Sequence, residues 1–371
     1  MTRPGTSLFD LRTPSTRHPG LDAARGLAVV AMVMGHTLDA LLSPEMRGHP
    51  WVQQYWTLRG ITAPLFLLVA GFAVVAALGT SRESAGLTLG RRLRRALLLL
   101  FLGYFVHWPG WGTVHALGWG PALRERLFTF DALQSIGVSL GVGALVLALA
   151  RGTWTRAAAL AVLAAGIPLL SPWAWDALAP GPIELRQAVG MPGARFPLFP
   201  WAGFFFAGAL TAHLSRLLRP GGPQGLALVA LGAGALLVTS RLNADWSPTS
   251  AWLVAYRVGQ GLLVLGTISL LPPLLSRPLA PLGRASLWLY VLHLPVVYGW
   301  GGTAGLSGRV GPILSLPAAL LVGVSLLAVC YGISRLGGRL SRSKRGPADA
   351  PPWRARSLPV EGGGLRSGQR A

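Results

Sequence analysis

The chain has 371 residues, of which 52% are hydrophobic and only 12% charged, about half the charged share of an average soluble protein. Most of it therefore has lipid as its solvent, which excludes a soluble globular domain. The net charge of +21 does not mark a nucleic-acid binder, because the basic residues are scattered through short segments between apolar runs, with no basic domain or aromatic-interleaved patch.

Cys330 is the only cysteine, so an intrachain disulfide and a thiol-based metal site are both excluded. The histidines show no metal-ligand spacing, and no metal is expected. The 14 Trp and 29 Pro suit a membrane protein, since Trp sits well at headgroup depth and Pro is tolerated in spans.

Residues 1–19 are rich in Pro, Thr and Arg and read as a disordered cytoplasmic N-terminus. The first apolar run carries Asp22, Arg25, His36 and Asp39 without a small-residue cleavage signature, so it reads as a retained helix, not a signal peptide. Runs of spanning length are predicted near 21–42, 60–79, 95–109, 131–150, 154–172, 197–217, 224–240, 250–275, 284–303 and 312–334. The expected fold is all-α and polytopic, with about ten transmembrane helices, both termini cytoplasmic and a transmembrane domain over residues 20–335. A Gly, Arg and Ser-rich disordered basic tail is expected over 336–371. No internal repeat of the inverted-transporter kind is visible.

The direction follows from Lys and Arg. The segments on the side of the N-terminus hold 24 of them and the opposite segments eight, namely Arg47, Arg59, Arg124, Arg126, Arg186, Arg195, Arg241 and Arg309, with Arg257 inside a span. A three-to-one bias puts the richer side in the cytoplasm, and the expected location is the plasma (inner) membrane. The longer outer loops, around 43–59, 109–130 and 173–196, carry Trp, His and acidic residues that a polar substrate can meet.

Arg25 and His36 stand out because ionisable residues inside a span mark a functional site by default. Eleven residues is close to three helical turns, so the two share a face about 16 Å apart along the axis. Arg25 keeps its charge and suits a phosphate or carbonyl of a ligand arriving from the cytoplasm. A neutral imidazole at His36 suits a general base. Asp39, three residues on, is the expected acceptor for the other imidazole N–H, fixing the tautomer.

These residues carry a resemblance. The Arg, ten residues, His arrangement after the opening Leu-Asp-Ala-x-Arg-Gly resembles the first helix of the transmembrane acyltransferase superfamily. That superfamily includes the acyltransferase-3 family and the heparan-alpha-glucosaminide N-acetyltransferase type. APLFLLVAGFAVV (Ala63 to Val75) is similar to its second helix, and RRLRRALLLL from Arg91 to the basic start of its third. FTFDALQSIGVSL (Phe128 to Leu140) and FPLFPWAGFFFAGAL (Phe196 to Leu210) resemble the heparan-alpha-glucosaminide branch. LGRASLWLYVLHLPVV (Leu282 to Val297) resembles the late Gly-x-x-Ser-x-x-x-Tyr-x-x-His helix of acyltransferase-3 members.

The resemblance implies transfer of an acyl group, most often acetyl from acetyl-CoA, onto a hydroxyl or amine of a sugar or other extracytoplasmic acceptor. It involves no bound cofactor, with acyl-CoA as co-substrate. The essential Arg and His of the family map to Arg25 and His36. The heparan-type enzymes carry their active histidine after the first helix in a His-x-x-Trp context, which makes His49 in RGHPW the second candidate. Arg91, Arg92, Arg94 and Arg95 are candidates for gripping CoA phosphates, although the positive-inside rule alone explains such a cluster equally well. His293, two residues before Pro295, with Tyr290, Arg257, Gln134 and Asp131, are candidates for contacting the acceptor, each with an interhelical or interfacial role as the duller alternative. A transporter or flippase using the same buried charges without covalent chemistry is the rival reading. The acceptor, acyl length and oligomeric state are not legible.

Overall fold

The computed structural model describes residues 19–77, 85–218, 221–242 and 245–343. Most of the predicted N-terminal segment, and the tail past 343, lie outside the described residues. The chain opens with α1 (Pro19–Leu41), two short helices, α2 (Pro44–Arg47) and α3 (Pro50–Arg59), and α4 (Thr62–Ala76). Then come α5 (Ala85–Val106), α6 (Trp111–Leu117), α7 (Pro121–Leu127), α8 (Ala132–Leu149), α9 (Thr153–Leu178) and α10 (Ile183–Val189). The second half holds α11 (Leu198–Ser215), α12 (Gly222–Arg241), α13 (Ala251–Leu270), α14 (Pro273–Ser276), α15 (Ala280–Arg284) and α16 (Ser286–Tyr298). A two-stranded ladder, β1 (Gly299–Trp300) with β2 (Thr303–Ala304), leads to α17 (Leu306–Arg309) and α18 (Leu316–Ser343).

Each of the ten predicted runs holds a helix, but the helices are not ten equal spans. Seven described helices, α1, α8, α9, α11, α12, α13 and α18, are long and apolar enough to cross a membrane, and an eighth span arises if α5 and α6, bent by 70°, are taken as one. At 15 and 13 residues, α4 and α16 reach only about 20 Å at 1.5 Å per residue, short of a hydrocarbon core of roughly 30 Å. The expected outer loops carry α2, α3, α6, α7 and α10. The last helix continues to Ser343, eight residues beyond the boundary read from composition.

Large apolar side chains cover the outer faces: Leu97, Leu98 and Phe101 on α5, Val162 and Leu169 on α9, and Leu321 and Val324 on α18 are all exposed. A water-soluble chain buries such residues, so these faces meet lipid and the protein is an all-α polytopic membrane protein. Inside, α1 is the hub, packed against α4, α15, α16 and α18.

Without a hydrophobic drive between helices in lipid, close approach of backbones supplies the packing. A Cβ on Gly71 of α4 would fall on the Phe205 carbonyl of α11, and one on Gly208 of α11 would fall on the Leu68 carbonyl of α4. The same device brings α1 against α15, where Gly26 faces the Leu279 carbonyl and Gly283 the Asp22 carbonyl.

Candidate active site

These contacts leave a cavity of about 1290 Å³ between α1, α4, α5, α8, α11 and α16. Ala63, Phe66, Ala70, Ala73 and Ala77 line it. Their spacing of three and four residues makes one face of α4, and four of the five are alanines, so this wall leaves room for something slender.

One end of the cavity is cationic. Arg25 of α1, Arg92 and Arg95 of α5 and Arg284 of α15 line it with a single carboxylate among the described lining residues there, Asp22. Asp22 lies 3.8 Å from Arg25 and 3.9 Å from Arg284, contacts too long for hydrogen bonds. Arg92 donates to the Val74 carbonyl at 3.3 Å, where α4 ends and a cation suits the helix dipole. Arg91 and Arg94, predicted with them, do not line the cavity, whereas Arg95 does although it too is exposed. Residues 92 and 95, three apart, share the face of α5 that looks inward.

The other end holds the imidazoles. His36 lines the cavity, and its Nδ1 is 3.1 Å from Nε2 of His293 on α16. His293 is fully buried, and its Nδ1 lies 2.7 Å from the Leu289 carbonyl. A carbonyl only accepts, so Nδ1 of His293 carries the proton and its Nε2 is bare. His36 must then donate through Nδ1, which leaves the Nε2 lone pair of His36 available. That is the protonation pattern of a general base held by a second ring.

Asp39 does not take the role expected of it. Its carboxylate pairs with Arg59 at the end of α3, and its carbonyl accepts from Arg47. His36 finds its partner across the bundle, since the Asp39 side chain is held by the stronger charge-assisted bond. Arg59 also packs on α1, where a Cβ on Gly35 would meet its Nε at 2.9 Å.

Asp131 lines the same end, held there because it caps α8. It accepts from the Ala132 N–H at 2.7 Å, while Gln134 closes the capping box by accepting from the Asp131 N–H at 3.2 Å, two orphan donors satisfied at once. The Asp131 carboxylate also meets His107 Nε2 at 2.5 Å and Arg195 at 3.7 Å, and Tyr290 turns its hydroxyl to it. Tyr298 sets its ring edge against His36, centroids 5.6 Å apart.

A histidine on a membrane-spanning helix, its tautomer fixed and one cavity joining it to a cluster of guanidiniums, makes a site fit for proton transfer beside a bound anion. Residues 18–335 match the acyltransferase-3 family model, described as an acyltransferase domain. The chain belongs to the acyltransferase-3 family. No curated protein matches its sequence.

Among the other candidates in this acyltransferase, His49 is exposed and outside the cavity, in keeping with a solvated histidine between two short helices. Gln134 is buried with its amide committed to Thr129 and the Asp131 N–H, so it builds the site without facing it. Arg257 donates to Gln260 at 2.8 Å and packs behind Gly60, whose Cβ position its guanidinium occupies. It lies outside the cavity wall.

Arg59, Arg195, Arg284 and Tyr298 line the cavity and were not singled out from the sequence. Arg59 and Arg195 did carry a signal. Both stand on the side poor in basic residues, where the positive-inside rule gives no reason for an arginine.

Proposed function

We propose that this membrane acyltransferase takes an acyl group, acetyl in the simplest case, from a cytoplasmic CoA thioester. It passes the group to a hydroxyl or amine of a sugar or glycan-like acceptor reaching the cavity from the opposite side of the plasma membrane. One observation carries the reading: a single cavity joins four guanidiniums at one end to His36 at the other, about 16 Å from Arg25 along α1. The excess of basic residues beyond the Arg25 end supports a cytoplasmic donor side.

In this reading Arg25, Arg92, Arg95 and Arg284 hold the phosphates of the donor by charge-assisted hydrogen bonds. The alanine face of α4 accommodates its narrow arm. The thioester reaches His36, where Nε2 takes the proton of the acceptor hydroxyl or amine as that atom attacks the thioester carbonyl carbon. The new C–O or C–N bond forms as the carbonyl electrons move to oxygen. Their return breaks the C–S bond, and the departing thiolate takes the proton from the His36 imidazolium. While His36 is charged, Nδ1–H still donates to His293, so the ring keeps its orientation through both proton transfers.

The test uses membranes containing the protein, acyl-labelled CoA and a panel of sugars. Label in the acceptor that is absent with His36→Ala supports the reading. Movement of a sugar across the membrane without CoA, with no label transferred, replaces it with transport.

A further inference from the structure

The His36 end of the cavity carries positive charge that proton transfer at His36 does not use. Arg47, Arg59 and Arg195 line it with two carboxylates, Asp39 and Asp131. Arg59 is paired with Asp39, and Arg47 commits its guanidinium to the Leu42 and Asp39 carbonyls. Asp131 already has His107 at 2.5 Å and the Ala132 N–H at 2.7 Å. Arg195, 3.7 Å away with its side chain 56% exposed, therefore stands at the mouth with donors to spare out of its five.

A second feature faces the same space. The 15-residue α4 begins at Thr62 with no side-chain cap, so its first N–H groups and its dipole present partial positive charge. Thr62 is only 8% exposed and lines the cavity, and its buried hydroxyl has no hydrogen-bond partner among the described residues. A buried hydroxyl of this kind is unfavourable unless a polar group meets it. Trp201 and Phe196 also line this end, with rings 4.7 Å apart, and offer flat apolar surface to a sugar ring.

We propose that the acceptor is anionic, and that Arg195 and the Thr62 turn of α4 hold its carboxylate or phosphate at the His36 end. This rests on the reading of that end as the acceptor side. The donor's phosphates are provided for at the Arg25 end, so an anion here belongs to the other substrate. A developing oxyanion requires donors in a dry pocket. Arg195, half in solvent at the mouth, is placed instead for a charge that the entering molecule brings with it.

The experiment measures binding of glucuronate, glucose 6-phosphate and glucose to the full chain in detergent by calorimetry, without CoA. A charged partner strengthens a hydrogen bond enough that at least one of the two anionic sugars should bind roughly tenfold more tightly than glucose. Which of the two is preferred separates a carboxylate from a phosphate. Arg195→Gln should remove the preference and Arg195→Lys restore part of it. Thr62→Val, close in shape and relieved of an unpartnered hydroxyl, keeps the fold and should weaken the anionic sugar several-fold while sparing glucose. Equal affinity for the three sugars, or a preference that survives both Arg195→Gln and Thr62→Val, overturns the proposal. The same sugars are then offered with labelled acetyl-CoA. Arg195-dependent binding without transfer of label leaves the anion site standing and overturns the acyl-transfer reading instead.

Discussion

His36 and His293, 257 positions apart, meet Nδ1 to Nε2 at 3.1 Å, and the Leu289 carbonyl fixes the second ring and through it the first. His293 does not line the cavity, so its part in the proposed reaction is to position His36. Loss of such an outer partner typically reduces activity by about 10–100-fold. We expect His293→Ala to lower kcat by that much with little change in KM for either substrate. His293→Gln, whose amide oxygen can accept from His36 Nδ1, should recover part of it. Wild-type kcat in His293→Ala would show that the pairing is only structural.

At the opposite end Arg284 faces the cavity with no carboxylate within hydrogen-bond distance among the described residues, Asp22 being 3.9 Å away. If it grips donor phosphate, Arg284→Gln should raise KM for acyl-CoA about tenfold, as expected for one hydrogen bond to a charged group. KM for the acceptor should stay in place. Arg94→Gln, on the exposed face of α5, is the comparison and should change neither. Steady-state kinetics with each substrate varied in turn decides it, and equal effects of the two substitutions would remove Arg284 from the donor site.

The part of the site legible in the sequence is the part written locally. Arg25 and His36 interrupt one apolar run at a helical spacing, and that pattern needs no tertiary knowledge. The sequence points to Asp39 as the partner of His36 because a single helix offers nothing nearer. The true partner arrives on α16, and no local pattern connects positions 36 and 293. The ten apolar runs were visible for the same local reason. The shortness of α4 and α16 was not, because the apolar sequence runs on past Ala76 and past Tyr298, where these helices end. Arg257 reads as a buried charge in search of a ligand, whereas its hydrogen bond to Gln260 one turn on satisfies it in place.

Outside the spans, Arg124 of α7 forms a bidentate pair with Glu184 of α10, at 2.6 and 2.7 Å. The hydrogen bond from Arg124 holds the Glu184 carboxyl below the usual glutamate range. A group whose folded pKa is depressed contributes stability above its unfolded value, near 4.3, and loses it as pH falls through the folded value. The melting temperature of Glu184→Gln should therefore lie slightly below wild type at neutral pH and converge with it in acid. Both groups are at the surface, so the difference should be small and shrink with added salt. A gap that widens on acidification would contradict the pairing.

Packing of α4 on α11 should tolerate no added carbon at its closest points. A methyl at Gly208 would coincide with the Leu68 carbonyl, and one at Gly71 with the Phe205 carbonyl. Neither obstacle is a flexible side chain. Gly208→Ala or Gly71→Ala should force the helices apart and destabilise by about 1–3 kcal/mol or more, seen as a lower melting temperature in detergent. Gly234, with nothing near its Cβ position, is the control, and Gly234→Ala should be neutral or slightly stabilising through helix propensity. Equal melting of all three variants would deny the close approach.

The alanine face of α4 gives a way to separate the cavity from the groups at its ends. Ala73 is half-buried and lines the cavity, and its methyl group can make no polar contact with His36 or a guanidinium. Leucine there adds apolar volume to an apolar helix, so the fold should hold. If the donor's arm threads from Arg25 to His36, Ala73→Leu should cut acyl transfer by at least about tenfold. Acceptor binding measured without CoA should be unchanged if the acceptor enters from the far end, as proposed. Ala73→Ser, which keeps the wall open, should retain activity. Full transfer by Ala73→Leu would mean that the thioester reaches the imidazole by another route.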